Sequence, residues 1–181
     1  MTQPTSPLAW RFATEADLPA LSALMTRSIE ALQADLSPEQ VKASHLVMGL
    51  DRQLIADRSY VLVELDGTLA GCGGWSRRST LFGGDDSVVA RAPQLLDPAR
   101  DPARIRAMYC DPAFARRGVG RFILATCEGL AREAGFARVE MMATLAGEHL
   151  YAVCGYHVLE EVTVEPVPGV TVPMKRMGKA L

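Results

Sequence analysis

No run of apolar residues in this 181-residue chain approaches the roughly 20 that a bilayer crossing needs, so no membrane span is expected. The opening stretch, Met1-Thr-Gln-Pro-Thr-Ser-Pro7, lacks the basic-then-apolar order of a secretory leader. Cysteine is sparse: Cys72, Cys110, Cys127 and Cys154 stand far apart, and no Cys-x-x-Cys pair occurs. His45, His149 and His157 are equally scattered, so no metal site is expected, and reduced thiols in a cytoplasmic protein are the plain reading. Positive charge is not in excess either. Lys and Arg number 19 against 21 Asp and Glu, a net charge of −2, which gives no global attraction to nucleic acid or an anionic membrane. Internal repeats and low-complexity tracts are absent, and the phosphate-binding string G-x-x-x-x-G-K-S/T occurs nowhere.

What is present is a globular composition. With 49% apolar residues the chain is long enough to bury a substantial core, and a single domain over 1–181 is expected. Its organising stretch runs from Ile105 to Thr126. Ile105 to Cys110 reads as a short strand, Asp111-Pro112 as a turn, and Ala115-Arg-Arg-Gly-Val-Gly120 as a glycine loop that opens a helix. In that helix Val119, Phe122, Ile123, Thr126, Cys127 and Leu130 share one face. The first helical N–H groups have no partner inside the helix, and Gly118 and Gly120 permit close backbone approach. Such an end draws anions, and Arg116, Arg117 and Arg121 add positive charge beside it. A phosphate cradle is one reading; an ordinary tight turn ahead of a surface helix is the other. A dinucleotide fingerprint, G-x-G-x-x-G/A, fails at its third position, where Ile123 is too bulky for close helix–strand contact. Glu140 does stand about where such folds keep their ribose-binding acid.

Around this stretch the elements follow in order. Leu8 to Ala13 is a short strand, and Thr14-Glu-Ala-Asp17 is a capping box for a helix carrying Leu18, Leu21, Leu24, Met25, Ile29 and Leu32. Ser37-Pro-Glu-Gln40 starts a second helix, and Asp51 to Asp57 a short third turn. Tyr60 to Leu65 and Thr68 to Ser76 form a hairpin across Asp66-Gly67. In the returning strand, Gly71, Gly73 and Gly74 suit a bulge, the close approach of a ligand, or simply a twisted strand of small residues. Residues 77–103 read as a long loop insertion with a helical turn near Val88-Val89, either a substrate-gating segment or a disordered one. Gly135 ends the central helix; Ala137 to Thr144 is a strand, 147–156 a short helix, and 157–166 and 170–177 a last pair of strands. The result is a mixed α/β fold, a mostly antiparallel sheet flanked by helices. Its one parallel crossover, expected to be right-handed, lies within 105–144.

The glycine loop resembles the acyl-CoA pyrophosphate loop of the GNAT superfamily of N-acetyltransferases, Gln/Arg-x-x-Gly-x-Gly/Ala. Gly118 and Gly120 match, whereas Ala115 stands at the Gln/Arg position. A second element, Tyr151-Ala-Val-Cys-Gly-Tyr156, matches that family's Tyr-x-x-x-Gly-Phe/Tyr, at the family's distance from the loop. The resemblance runs through essentially the whole chain. It implies acetyl-CoA as cosubstrate and no metal, lying where strand 105–110 splays from strand 137–144. Backbone groups of Met108 and Cys110, with Tyr109 between them, would pair with the pantetheine like an added strand. Amides of Arg116, Arg117, Gly118, Val119, Gly120 and Arg121 would hold the diphosphate. A neutral primary amine, on a small molecule or a peptide, would attack the thioester directly, with the oxyanion on a backbone N–H. Tyr151 matches the tyrosine that protonates the departing sulfur, or the ring simply packs with Leu150 and Tyr156. Strand 105–110 carries no acid, so the base is open among Glu140, Glu64, His149 and water. A non-catalytic acyl-CoA-binding sensor of the same fold is the alternative, and family habit allows a homodimer.

Overall fold

The computed structural model describes residues 8–181; the leader reading of Met1–Pro7 lies outside them. One seven-stranded sheet is flanked by helices on both faces. The strands are β1 (Leu8–Phe12), β2 (Tyr60–Leu65), β3 (Thr68–Ser76), β4 (Ala103–Cys110), β5 (Arg138–Thr144), β6 (His157–Val167) and β7 (Val170–Ala180). They lie in the order β1-β2-β3-β4-β5-β7-β6. Every neighbouring pair is antiparallel except β4 and β5. The helices are α1 (Leu18–Glu30), α2 (Pro38–Ser44), α3 (Arg52–Ala56), α4 (Val119–Glu133) and α5 (Leu145–Val153).

Strand period 2 divides the core. Val61, Val63 and Leu65 of β2 point with Ile105, Val139 and Met141 toward Ile123, Leu124 and Cys127 of α4. Tyr60 and Leu62 point the other way, to Leu21, Leu24 and Ile29 of α1 and Leu54 of α3. Both faces of β2 are therefore dry from Tyr60 to Val63, which explains the apolar run there. A third, smaller cluster joins Ala43 of α2 and Val47 to Val172 and Met174 of β7.

The β3 glycines serve the protein itself. A Cβ on Gly71 would sit 2.8 Å from Ile123 Cδ1 and 2.9 Å from Val119 Cγ1, so their lack of side chains brings α4 onto the sheet. It is a helix, not a ligand, that approaches there. β3 does carry an extra residue, at Ala70, where two β3 steps from Leu69 to Gly71 face one β2 step from Glu64 to Val63. The bulge that matters for the site lies across from it in β4. Between Gly74↔Arg106 and Cys72↔Tyr109, β4 spends three steps against two in β3, and Ala107 there has φ +49°. The Tyr60 hydroxyl donates to the Ala107 carbonyl at 3.2 Å and braces the distortion.

That bulge turns β4 away from β5. The two strands pair only at Ala103↔Val139 and Arg104↔Glu140, and from Ile105 onward they part. The splay expected from the resemblance is present.

Residues 77–102 form no helix, and the turn expected at Val88-Val89 is absent. The Ser87 hydroxyl instead takes the Val89 N–H at 3.0 Å, a local bond that competes with a helical one. The segment is pinned rather than loose. Arg78 clamps Asp57 with two bonds, of 2.7 and 2.9 Å, and the Asp85 N–H donates to the Leu50 carbonyl at 2.7 Å. The strand start moves to Ala103, and α5 starts at Leu145, two residues earlier than the sequence pattern indicates, because Thr144 caps it.

Candidate active site

One 3-10 turn and a short glycine loop lead from β4 into α4. The Asp111 carboxylate accepts the Ala113 N–H at 3.0 Å and is gripped from behind by Arg27 of α1 at 2.6 Å, which fixes the turn Pro112–Phe114. The chain then passes Arg116 at φ +61° and Gly118 at φ +84°, a left-handed conformation that glycine adopts without strain. Gly118 is the N-cap of α4 and has no side chain to offer. The Ser37 hydroxyl caps α2, the Asp51 carboxylate caps α3 and the Thr144 hydroxyl caps α5, but α4, like α1 (which continues from a 3-10 turn), has no side-chain cap and no acid in its first turn. The first helical bond runs from the Phe122 N–H to the Gly118 carbonyl, so the amides of Val119, Gly120 and Arg121 stand ahead of the ladder. No side chain caps them, and the approach of Gly120 to Cys110 sets their partial positive charge beside the end of β4.

The arginines divide. Arg117 lies over the Phe114 ring at 5.7 Å and 3.9 Å from the exposed Asp66, a loose tether. Arg116 and Arg121 are exposed and form no ion pair among the described residues. Val119 is buried, so only its backbone can serve a ligand.

The first turn of α4 is packed against α5. A Cβ on Gly120 would meet Leu150 Cδ2 at 2.7 Å and come 3.4 Å from Cys110 Sγ, which draws α4, α5 and the end of β4 together. On α5 the Tyr151 ring lies back over Gly147, whose added Cβ would sit 2.7 Å from Tyr151 Cε2 and 3.4 Å from its hydroxyl. Tyr151 thereby reaches the cavity between β4 and β5, while its ring centroid stays 6.1 Å from that of Tyr156. Both readings of this residue hold at once: the ring packs, and the phenol lines the cleft. Burial, helped by the nearby Cys110 and Cys154 thiols, pushes the Tyr151 phenol up, so it is a proton donor through neutral pH. Burial also pushes the Cys110 thiol up to about 11, which leaves it a weak nucleophile.

The predicted strand residues part company. Met108 and Cys110 pack toward α4. Tyr109 turns to the opposite face, where its oxygen accepts the Gly49 N–H at 2.9 Å. None of the three candidate bases lines the cavity. Glu140 is held by Arg104 at 2.8 Å and Arg176 at 3.5 Å. Glu64 lies in β2 opposite Ala9 of β1, and His149 is exposed on α5.

One group in the cavity wall escapes sequence reasoning. Arg106, buried on β4, pairs with the equally buried Asp51 at 2.7 Å and donates to the Gly83 carbonyl. Asp51 also accepts from Arg91 at 2.7 Å, and Arg91 reaches Asp85 at 3.0 Å. Burial lowers the Arg106 pKa and Asp51 opposes that shift. The network ties β4 and the cap of α3 to the 77–102 segment. Its only trace in the sequence is a charge at an inward strand position between Ile105 and Ala107.

The family model described as the acetyltransferase (GNAT) family matches residues 26–156, well over half of the chain. The chain belongs to the GNAT family. A search of curated proteins finds no match. Solved structures share the GNAT fold over nearly the whole length. A GCN5-related N-acetyltransferase from Rhodopseudomonas palustris is 23% identical with a TM-score of 0.69, covering 100% of this chain and 99% of its own. The PaiA N-acetyltransferase from Thermoplasma acidophilum, in complex with coenzyme A, is 15% identical with a TM-score of 0.62, over 96% and 99% of the two chains. YncA from Salmonella typhimurium, with its cofactor acetyl-CoA, is 17% identical with a TM-score of 0.62, over 97% and 94%. As a GNAT protein the chain is an acetyl-CoA-dependent acyltransferase. No helix among the described residues is long and apolar enough to cross a membrane.

Proposed function

We propose that the chain, acting as one domain over 1–181, transfers the acetyl group of acetyl-CoA to a primary amine by direct attack. The carrying observation is the uncapped head of α4 opening onto the β4–β5 splay with Tyr151 at its side. Amides from Arg116 to Arg121 bind the diphosphate, with Arg116 and Arg121 screening its charge. The freed edge of β4 at Met108 and Cys110 pairs with the pantetheine amides. Tyr109 contributes backbone only, since its hydroxyl is taken.

A neutral amine nitrogen bonds to the thioester carbon, and the carbonyl oxygen gains the negative charge on a backbone N–H. The C–S bond then breaks. Tyr151 gives its proton to the departing sulfur, the amine proton leaves to water, and Tyr151 is reprotonated from solvent; the products are an acetamide and free CoA. A covalent acyl-cysteine route is disfavoured by the protonated Cys110 thiol. The four free cysteines suit a reducing cytoplasm. One observation favours the sensor alternative: no carboxylate or histidine lines the cavity. Release of free CoA in the presence of amines, followed by mass detection of the acetamide, separates the two. Turnover retains the enzyme reading; tight CoA binding with no turnover for any amine leaves the sensor.

A further inference from the structure

The cavity beside the splay has a volume of about 110 Å³ and an unusual wall. Leu32, Val47, Met48, Phe82, Met142 and Met174 line one part of it, and Ser28, Thr144 and the backbone of Gly49, Gly83 and Gly84 line the rest beside β4 and Tyr151. A smaller recess adjoins it, sharing Leu32, Val47, Met48, Thr144 and Met174 and reaching Val172 and Pro173. Methionine adapts to apolar shapes without selecting one, and Met48, Met108, Met141, Met142 and Met174 all line the cavity.

Most of the carboxylates nearby are spent, and none lines the cavity itself. Asp51 is shared by Arg106 and Arg91, Asp85 by Arg91 and the Arg52 N–H, and Glu140 by Arg104 and Arg176. Glu148 is held by Lys175 at 2.8 Å. Asp35 is exposed at the outer end of the recess, and Asp86 faces a separate hollow against α1. The one charged residue lining the cavity, Arg106, is neutralised by Asp51. A second ammonium held inside the cavity itself would therefore be desolvated with no carboxylate in the wall to meet it.

Resting on the acetyl transfer proposed above, we infer that the acceptor is a monoamine with an uncharged, largely apolar body, and that polyamines and aminoglycosides are poor acceptors. An arylalkylamine and the N-terminus of a hydrophobic peptide share this chemistry. Met48, half-buried and common to the cavity and both neighbouring hollows, is its main specificity-determining residue.

The test measures kcat/KM for 2-phenylethylamine, leucinamide and a tetrapeptide beginning with leucine against spermidine and kanamycin, after calorimetry has fixed the affinity for CoA. The apolar amines are expected to exceed the polycations by about a hundredfold; the peptide against the two small amines tells which source is preferred. Met48→Glu supplies the missing carboxylate and should move the phenylethylamine-to-spermidine ratio at least about tenfold toward spermidine. Phe82→Glu, on the loop, does the same job should Met48→Glu misfold, and unchanged CoA affinity marks either variant as folded. Spermidine or kanamycin as the better substrate, no turnover of any apolar amine, or a ratio unmoved in folded variants overturns the inference. Failure of CoA to bind would instead strike the acetyl-transfer reading, before any amine is added.

Discussion

The two ends of the splay are built in opposite ways. At the α4 end the working groups we propose are backbone amides, and side chains matter by staying out of the way: Gly118 for its φ of +84°, Gly120 for the space Leu150 fills. At the other end the wall is mostly side chain, gathered from α1, residues 47–49, residues 81–84, β4, β5 and β7. The first end is suited to a group common to every acyl-CoA, the second to a partner that differs from one enzyme to the next. Tyr151 stands between them. Changes at one end should therefore move cofactor affinity and changes at the other the choice of amine, while Tyr151 should move the rate alone.

Tyr151→Phe tests that division most sharply. It should lower kcat by about a hundredfold or more while CoA affinity holds within about twofold. In the parent protein no alkaline loss assignable to Tyr151 should appear below the ordinary phenol range near 10, because its pKa is raised. An equal loss in CoA affinity would merge the two regions. Gly147→Ala should follow at about tenfold in kcat, since the new methyl displaces the Tyr151 ring by a few tenths of an ångström without touching the head of α4. An unchanged kcat would mean that ring placement is not limiting.

The pinned loop gives a smaller, thermodynamic effect. Asp57 is held below the usual carboxylate range chiefly by hydrogen bonds from Arg78. A depressed carboxylate contributes its stability above its unfolded pKa of about 4 and loses it as pH falls through the lower folded value. Asp57→Asn should thus cost about 1 kcal/mol at pH 7, read from chemical denaturation, and the difference from the parent should shrink below about pH 4. A difference that grows in acid would contradict this sign. Smallest of all, Cys110→Ser should leave kcat within about threefold; a collapse of activity with CoA affinity intact would restore the acyl-cysteine route.

The same contrast explains what was legible in the sequence. The α4 end was readable because backbone requirements leave glycines at fixed spacing, and Gly118, Gly120 and Tyr151 sit on the elements the pattern assigned to them. The pairings of β2 with β3 and of β6 with β7 followed from the turns at Asp66-Gly67 and Pro168-Gly169. The wall of the second end was not readable. Met48, Phe82 and Met174 each look like ordinary core residues, and only tertiary contact brings them together. Arg106 was overlooked because its partner, Asp51, is 55 positions away and looks from the sequence like a mere helix cap. The glycines of β3 left their role open for another reason: space left by missing side chains is as readily filled by Ile123 as by a ligand.

Titration calorimetry of the folded protein with CoA and with pantetheine, which lacks the diphosphate, tests the cradle at the head of α4 most directly. CoA should bind at least about a hundredfold more tightly, and Gly118→Val should erase most of that difference while pantetheine affinity stays put. Equal affinity for the two ligands in the parent protein, or a Gly118→Val protein that still prefers CoA by the same factor, would contradict the account.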